Sequence, residues 1–190
     1  DFIHGDSWDW NGSSYYDEGS SVDADKLFGN GGADTLSGGS GNDTIFGGAG
    51  NDYIGFAQTR TFSGRSHSYD FDERGDDYLD GGLDDDIIKG GYGNDSIIGG
   101  EGDDTLGDSL YEYDNDTFVG GQGNDTIYGG EVGTTDVDVV DYRTSTNAVQ
   151  VNLSEDNVLL GTATLEAGTA NDGFGYVDTI SQVENIIVSD

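Results

Sequence analysis

Two nine-residue units stand back to back between Gly38 and Gly55, GGSGNDTIF and GGAGNDYIG. Each has glycine at places one, two and four, aspartate at place six and an aliphatic residue at place eight. Glycine permits the positive φ of a tight turn, and alternation in a short strand sends the residue at place eight to one side. A chain of such units stacks into coils of eighteen residues, each with two turns and two strands. We therefore predict an all-β fold, a parallel β-roll of the β-solenoid type.

The units group into two β-roll arrays, which we place at residues 20–55 and 72–142. An insertion loop at 56–71 separates them, and residues 1–19 combine a partial repeat with an aromatic insertion. After Tyr142 the nonapeptide stops and ordinary β alternation begins, so we predict a C-terminal β cap or junction unit at 143–190.

The chain is strongly acidic, with 39 Asp and Glu against six Lys and Arg, and a net charge of −33. Only 33% of its residues are hydrophobic, which would leave an ordinary chain disordered. Bound cations that neutralise ordered rows of carboxylates would allow such a chain to fold, so folding and metal binding should be one equilibrium. The charge argues against nucleic acid and anionic membranes as partners. No stretch is apolar enough for a membrane span.

The chemistry of the repeat selects the ion. Glycine-rich turns present carbonyl oxygens and place six presents a carboxylate, and calcium takes about six or more such oxygen ligands. The chain has no cysteine and two histidines, so zinc or copper sites are unsupported. We therefore expect several bound Ca²⁺ ions.

This motif resembles the repeats-in-toxin (RTX) family of secreted bacterial proteins, and the segment from Val151 is similar to the units that follow such arrays. The resemblance implies that each ion lies between turns one coil apart. The earlier turn would contribute the carbonyls of places two and four and its aspartate, and the later turn those of places one and three and its own aspartate. It also implies export through a type I secretion channel, an extracellular or cell-surface location, and neighbouring repeats in a longer parent chain.

Carried over residue by residue, the resemblance implies these calcium ligands: Asn30, Gly32 and Asp34 with Gly47, Ala49 and Asp52; Ser21, Asp23 and Asp25 with Gly38, Ser40 and Asp43; Gly82, Asp84 and Asp86 with Gly99, Glu101 and Asp104; Glu73, Gly75 and Asp77 with Gly90, Tyr92 and Asp95; Gly100, Gly102 and Asp104 with Gly120, Gln122 and Asp125. Asp116 and Asp138 hold the sixth place of later units and are further candidates. Spacing alone does not decide which turns pair across residues 56–71, or whether the stretched unit with Asp138 joins the array.

The two long insertions hold aromatic and basic side chains that a plain array does not need, Trp8, Trp10, Arg60, Arg65 and Tyr69. One interpretation is a surface that binds a glycan or cell-surface ligand, as in an adhesin or a polysaccharide-modifying enzyme. The other is an apolar cap on the end of the roll and a surface loop whose arginines pair with aspartates. Both interpretations stay open from the sequence.

We expect no catalytic residue in this segment. The carboxylate pairs are explained by the repeat, and H-E-x-x-H, G-x-S-x-G and phosphate-loop motifs are missing from the sequence. His4 and His67 stand isolated among unrelated residues. Because Asp1 and Ile3 continue the repeat pattern, we expect the chain to be a segment of a longer repeat protein.

Overall fold

The computed structural model describes residues 2–4, 24–55, 59–62, 65–68, 75–107, 114–130, 137–152, 158–160, 163–165 and 168–188. Within these ranges the regular elements are all strands. In chain order they are β1 Phe2–His4, β2 Lys26–Gly31, β3 Thr35–Ser37, β4 Thr44–Ala49, β5 Tyr53–Ile54, β6 Thr59–Phe62, β7 Arg65–Ser68, β8 Tyr78–Leu83, β9 Ile87–Lys89, β10 Ser96–Glu101, β11 Thr105–Gly107, β12 Thr117–Gln122, β13 Thr126–Tyr128, β14 Val139–Tyr142, β15 Gln150–Asn152, β16 Val158–Leu160, β17 Ala163–Leu165, β18 Thr169–Asn171, β19 Val177–Ser181 and β20 Asn185–Val188.

Successive strands of the repeat alternate between two parallel sheets. The long-strand sheet has the order β2-β4-β8-β10-β12-β14-β20, and most of its strands are six residues long. The short-strand sheet has the order β1-β3-β5-β9-β11-β13-β19, followed by the antiparallel strands β18 and β15. The predicted all-β, parallel β-roll is therefore confirmed.

The core is two stacks of place-eight side chains, one stack on the inner face of each sheet. Cα pairing aligns Leu27 with Ile45 in the long-strand sheet and Leu36 with Ile54 in the short-strand sheet. The buried residues of these stacks are at most 5% exposed: Leu27, Ile45, Leu79, Ile97, Phe118 and Val140; Leu36, Ile54, Ile88, Leu106, Ile127 and Ile180. Burying one such side chain stabilises the fold by about 1.5–3 kcal/mol. Each strand contributes one residue to these stacks, with Tyr142 of β14 as an additional core residue, so the hydrophobic contribution is thin for a chain of this length.

The turns that lead from a long strand to the next short strand all have the same length. Within the arrays they comprise residues 29–34, 47–52, 81–86, 99–104 and 120–125. In each case the place-eight residue after the turn lies nine positions beyond the place-eight residue before it. We call this side of the roll the constant edge.

The turns on the opposite side, from a short strand to the next long strand, vary in length, and we call this side the variable edge. Turns 38–43 and 90–95 have the usual size. By contrast, Leu79 lies 25 positions after Ile54, because the insertion at 56–71 stands between them. The sheets continue regardless, because β4 pairs directly with β8 and β5 with β9. The hydrogen-bonded ladders of both sheets are therefore continuous across the insertion.

Part of the insertion at 56–71 is an antiparallel hairpin of β6 and β7, with Thr59 opposite Ser68 and Phe62 opposite Arg65. At the other end of the chain, β19 pairs with β13 and β20 pairs with β14. The C-terminal segment thus adds one more strand to each parallel sheet, and the antiparallel strands β18 and β15 then extend the short-strand sheet beyond β19.

Candidate calcium sites

The place-six aspartates form two rows, one along each edge of the roll. They are at most 4% exposed: Asp34, Asp52, Asp86, Asp104 and Asp125 on the constant edge; Asp43, Asp77, Asp95, Asp116 and Asp138 on the variable edge. The backbone N–H of each donates to a carboxylate oxygen on the next coil, which is Oδ1 of an aspartate for all except Asp138; Asp52 donates to Asp86 at 2.6 Å and Asp86 to Asp104 at 2.9 Å. Each row is therefore a continuous ladder running parallel to the roll axis.

Both rows cross the insertions. The N–H of Asp43 donates to Oδ1 of Asp77 at 2.7 Å across 34 residues. The N–H of Asp116 donates to Oδ1 of Asp138 at 2.9 Å, so the stretched unit belongs to the array. The pairings that spacing left open are thus formed, since Asp43 pairs with Asp77 across residues 56–71 and Asp104 pairs with Asp125 across residues 108–110.

The second carboxylate oxygen defines the space between coils. Oδ2 of Asp52, Asp86, Asp104 and Asp125 is buried and accepts no hydrogen bond from any residue that the structure describes. A buried carboxylate oxygen without a partner is costly and rare in a native fold. A bound cation is the partner that this geometry lacks.

Place-one glycines leave open the space that such a cation needs. A Cβ on Gly47 would collide with Oδ2 of Asp52 and come 2.6 Å from the carbonyl oxygen of Gly81 on the next coil. A Cβ on Gly99 would likewise collide with Oδ2 of Asp104 and come 2.6 Å from the carbonyl oxygen of Gly120. A carboxylate oxygen and a carbonyl oxygen thus converge beside each of these glycines, and oxygen is the donor that calcium prefers.

The raised pKa values of the place-six aspartates agree with a binding site for a positive ion between the coils. Burial raises the pKa of Asp86 to about 7 and that of Asp104 to about 8, with the neighbouring aspartates of the row adding to the shift. Burial likewise raises the pKa of Asp52. In the absence of cations, these carboxyls would favour the protonated form at pH values where an exposed aspartate is ionised.

A comparison with known protein families identifies the repeat that forms these turns and rows of aspartates. A family model of the RTX calcium-binding nonapeptide repeat matches the chain in four copies, over residues 21–54, 73–106 and 112–131. The arrays are RTX calcium-binding repeats. The resemblance predicted from the sequence is therefore confirmed, and the calcium-binding character of the module with it. No curated protein matches the chain.

The side chains alone do not form a metal site in the described part of the chain. Among the described residues, no three His, Cys, Asp or Glu side chains converge on one point as a metal-binding cluster. Each gap between coils instead brings together two place-six carboxylates and the carbonyls of two glycine-rich turns. In the same part of the chain no helix is long and apolar enough to cross a membrane.

Most of the ligands predicted from the RTX resemblance lie on facing turns of adjacent coils. Turn 29–34 faces 47–52 through the pairing of β2 with β4, and turn 81–86 faces 99–104 through β8 and β10. Asn30 and Asp84, which stand where other units have glycine, adopt φ values of 73° and 75°. Asn and Asp tolerate this left-handed conformation better than other residues with a side chain. Ser21, Asp23 and Glu73 lie outside the described residues.

The carbonyls at place three already have a hydrogen bond. The N–H of Gly32 donates to the carbonyl of Ala49 at 2.7 Å, and the N–H of Gly102 donates to that of Gln122 at 2.8 Å. The N–H of Gly75 donates to the carbonyl of Tyr92 at 2.8 Å in the same way. Since a carbonyl oxygen has two lone pairs, these atoms would bind an ion only through the second one.

The ends of both RTX rows use residues that the sequence did not single out. Oδ1 of Asp178 accepts the N–H of Asp125 at 3.1 Å, and Oε2 of Glu184 accepts the N–H of Asp138 at 2.9 Å. Asp178-Thr179-Ile180 repeats the Asp-Thr-Ile of the arrays without their glycines, so a search for that tripeptide would have found it. Glu184 carries no comparable signal, because glutamate replaces the expected aspartate.

Two of the predicted ligand-contact residues in the insertions are described by backbone only, Arg60 in β6 and Arg65 in β7. Trp8, Trp10 and Tyr69 lie outside the described residues. Their predicted roles remain predictions.

Proposed function

We propose that this chain is a calcium-binding RTX β-roll module of a larger secreted or cell-surface bacterial protein. It leaves the cell unfolded through a type I secretion channel, and extracellular calcium then drives its folding. The observation that carries the proposal is the row of buried Oδ2 atoms on Asp52, Asp86, Asp104 and Asp125, which accept no hydrogen bond within the described structure.

Calcium is needed for folding because the negative charge of the chain opposes compaction and the hydrophobic core is small. A net charge of −33 opposes compaction, and most strands of the roll bury a single hydrophobic side chain. An ion that binds the folded state and not the unfolded state adds stability that grows with its concentration. Several ions bound in two rows would each add such a contribution to the stability of the folded state. Where free calcium is scarce, as in the cytosol, the same chain stays unfolded and competent for export.

Circular dichroism of the purified chain tests this proposal. We expect a disordered spectrum in EDTA, a strong β signal in millimolar calcium, and little recovery in magnesium at the same concentration, because magnesium retains its waters. A β signal that persists unchanged after chelation would contradict calcium-driven folding.

A second candidate function, ligand binding, is favoured by the placement of the insertions. Every connection longer than nine residues between successive place-eight positions in the arrays, including the two long insertions, lies at the variable edge. Insertions confined to one side of a repeat protein often form its binding face. Lys26 begins β2 and Lys89 ends β9 at this same edge. These two lysines would give a glycan or an anionic cell-surface ligand cationic contacts at this edge.

The long-strand sheet adds an aromatic patch beside the variable edge. Phe28 and Phe46 stack with ring centroids 5.2 Å apart, and Tyr78 contacts Phe46 at 5.9 Å. The Lys26 ammonium lies 5.3 Å from the centroid of the Phe28 ring. Exposed rings beside a cation are suited to stacking against a sugar.

A glycan array tests this second candidate with the folded, calcium-loaded protein. Binding that is lost in the double variant F28A/Y78A, with an unchanged β signal, would support a glycan surface. An array without hits would contradict it and would leave calcium-driven folding untouched.

A further inference from the structure

The constant-edge row ends in the cap on protein donors. Oδ1 of Asp178 accepts the N–H of Asp125, and its Oδ2 accepts the hydroxyl of Tyr142 at 2.6 Å. Both oxygens of Asp178 are therefore bonded within the protein, unlike those of Asp86 or Asp104. A site between turn 120–125 and the cap would need its second carboxylate from another residue.

Asp172 is placed to supply that carboxylate. It is fully buried, and its Oδ1 accepts the N–H groups of Phe174 at 2.9 Å and of Gly175 and Tyr176 at 3.0 Å each. These three bonds fix the side chain. Its Oδ2 is buried and accepts no hydrogen bond from the described residues.

The loop that holds Asp172 lies against the last turn of the array. The N–H of Val177 donates to Oδ1 of Asn124 at 3.3 Å, and Tyr176 lines the same surface depression as Gly123. In each earlier turn the carbonyls of places two and four face the following coil, as the carbonyl of Gly32 does 2.7 Å from the Cβ site of Gly50. If the last turn follows the same geometry, the carbonyls of Gly121 and Gly123 face the cap.

The charges at this junction repel one another. Burial raises the pKa of Asp125 to about 6, and the negative charge of Asp172 adds to that shift. Burial raises the pKa of Asp178 to about 7, again with a contribution from Asp172. Of these carboxylates, only that of Asp178 is relieved by a hydroxyl donor.

We propose that a calcium ion binds at the junction of array and cap, held by Oδ2 of Asp172 and Oδ2 of Asp125 together with carbonyl oxygens of turn 120–125. This inference rests on the proposed calcium-binding function. It places one ligand outside the residues that match the repeat family, which end at 131. The ion ties the cap to the roll, so the cap orders only when calcium is present.

Native mass spectrometry of the calcium-loaded chain tests the site by counting ions. Asp172→Asn keeps the Oδ1 acceptor and removes the charge, and we expect it to bind one ion fewer than the unaltered chain. Asp103→Asn is the matched control, because Asp103 is exposed and its Oδ1 accepts the N–H of Asn124, which an asparagine does equally well. We expect its ion count to be unchanged. An unchanged count in Asp172→Asn would overturn the proposal.

Anomalous diffraction from crystals of the unaltered chain covers the case in which Asp172→Asn fails to fold. We expect a calcium peak about 2.3–2.6 Å from Oδ2 of Asp172. Peaks in the array without one at Asp172 would overturn the junction site alone. A chain that binds no calcium at all would overturn the proposed function as well.

Discussion

Asp86 illustrates the two tasks of a place-six residue. Its Oδ1 accepts the N–H of Asp52, which aligns neighbouring coils, and its buried Oδ2 faces the space between them. The neighbouring Asp85 performs only the first task, since its Oδ1 accepts the N–H of Asp103 at the exposed surface. One position thus aligns the coils and presents a charge to the ion, whereas the position before it only aligns them.

This contrast predicts different outcomes for two conservative substitutions. Asp86→Asn retains the hydrogen-bond acceptor and loses the charge, so the calcium concentration at half-folding should rise about tenfold or more, since calcium affinity follows ligand charge. Asp85→Asn should leave it nearly unchanged, as asparagine already occupies place five in other units. Calcium titrations followed by circular dichroism compare the two variants. Equal midpoints would contradict the assigned role of Asp86.

Place-one glycines are a second residue-scale test. The Cβ of Gly99→Ala would collide with Asp104 and approach the Gly120 carbonyl, so we expect a loss of about 2 kcal/mol or more in unfolding free energy. Gly31→Ala is the matched control, because the nearest atom to its Cβ is 3.7 Å away. We expect an effect within about 0.5 kcal/mol for it. Urea unfolding at saturating calcium measures both, and a Gly99→Ala variant as stable as the control would contradict the crowded pocket.

At the scale of elements, the sequence predicted the units but not how coils meet across an insertion. Ile54 and Leu79 were identified as core residues from their place in the nonapeptide, and both are buried. Nothing in the local sequence shows that β4 and β8 pair, because that pairing depends on where a long segment leaves the roll. Spacing also did not predict that the long strands extend through places one to three. That extension needs neighbouring turns of equal length, which only the constant edge provides.

Deletion of residues 56–71 tests whether the insertion is separable from the roll. It joins Gly55 to Asp72 and brings Ile54 and Leu79 to the nine-residue spacing of the other units. We expect the shortened chain to fold in calcium with the same ion count and a similar midpoint, because a longer connecting loop costs little. Circular dichroism and native mass spectrometry provide the measurements. Failure to fold would show that the insertion is part of the core structure.

At the scale of the whole molecule, the candidate sites were predictable only in part. The repeat located the aspartates and the glycine turns, since these are local requirements of a coil. The ends of the rows, Asp178 and Glu184, were not predicted: Asp178 lies in an Asp-Thr-Ile tripeptide without the glycines of the repeat, and Glu184 has no local signal and joins its row only because the cap folds back beside the array. The one-sided distribution of insertions likewise emerges only once the coils are stacked.

The raised carboxyl pKa values predict how pH acts on the metal-free chain. The pKa of Asp86 is about 7 and that of Asp104 about 8 in the folded roll, above the ordinary 3.8. The folded state therefore binds more protons than the unfolded state, and stability falls as pH rises through these values. Dialysed, calcium-free protein should show more β signal at pH 5 than at pH 8. In the presence of calcium the protein should instead show more β signal at pH 8 than at pH 5, because the carboxylate ligands must be deprotonated to bind the ion. A β signal that grows with pH without metal would contradict this.

The central claim is that calcium ions between successive coils neutralise two rows of buried aspartates. The most direct measurement is an anomalous difference map from crystals grown in calcium. We predict two lines of peaks, each lying between adjacent coils at about 2.3–2.6 Å from place-six carboxylate oxygens. A well-ordered roll whose Asp52 and Asp86 carboxylates have only water or protein neighbours would contradict the claim.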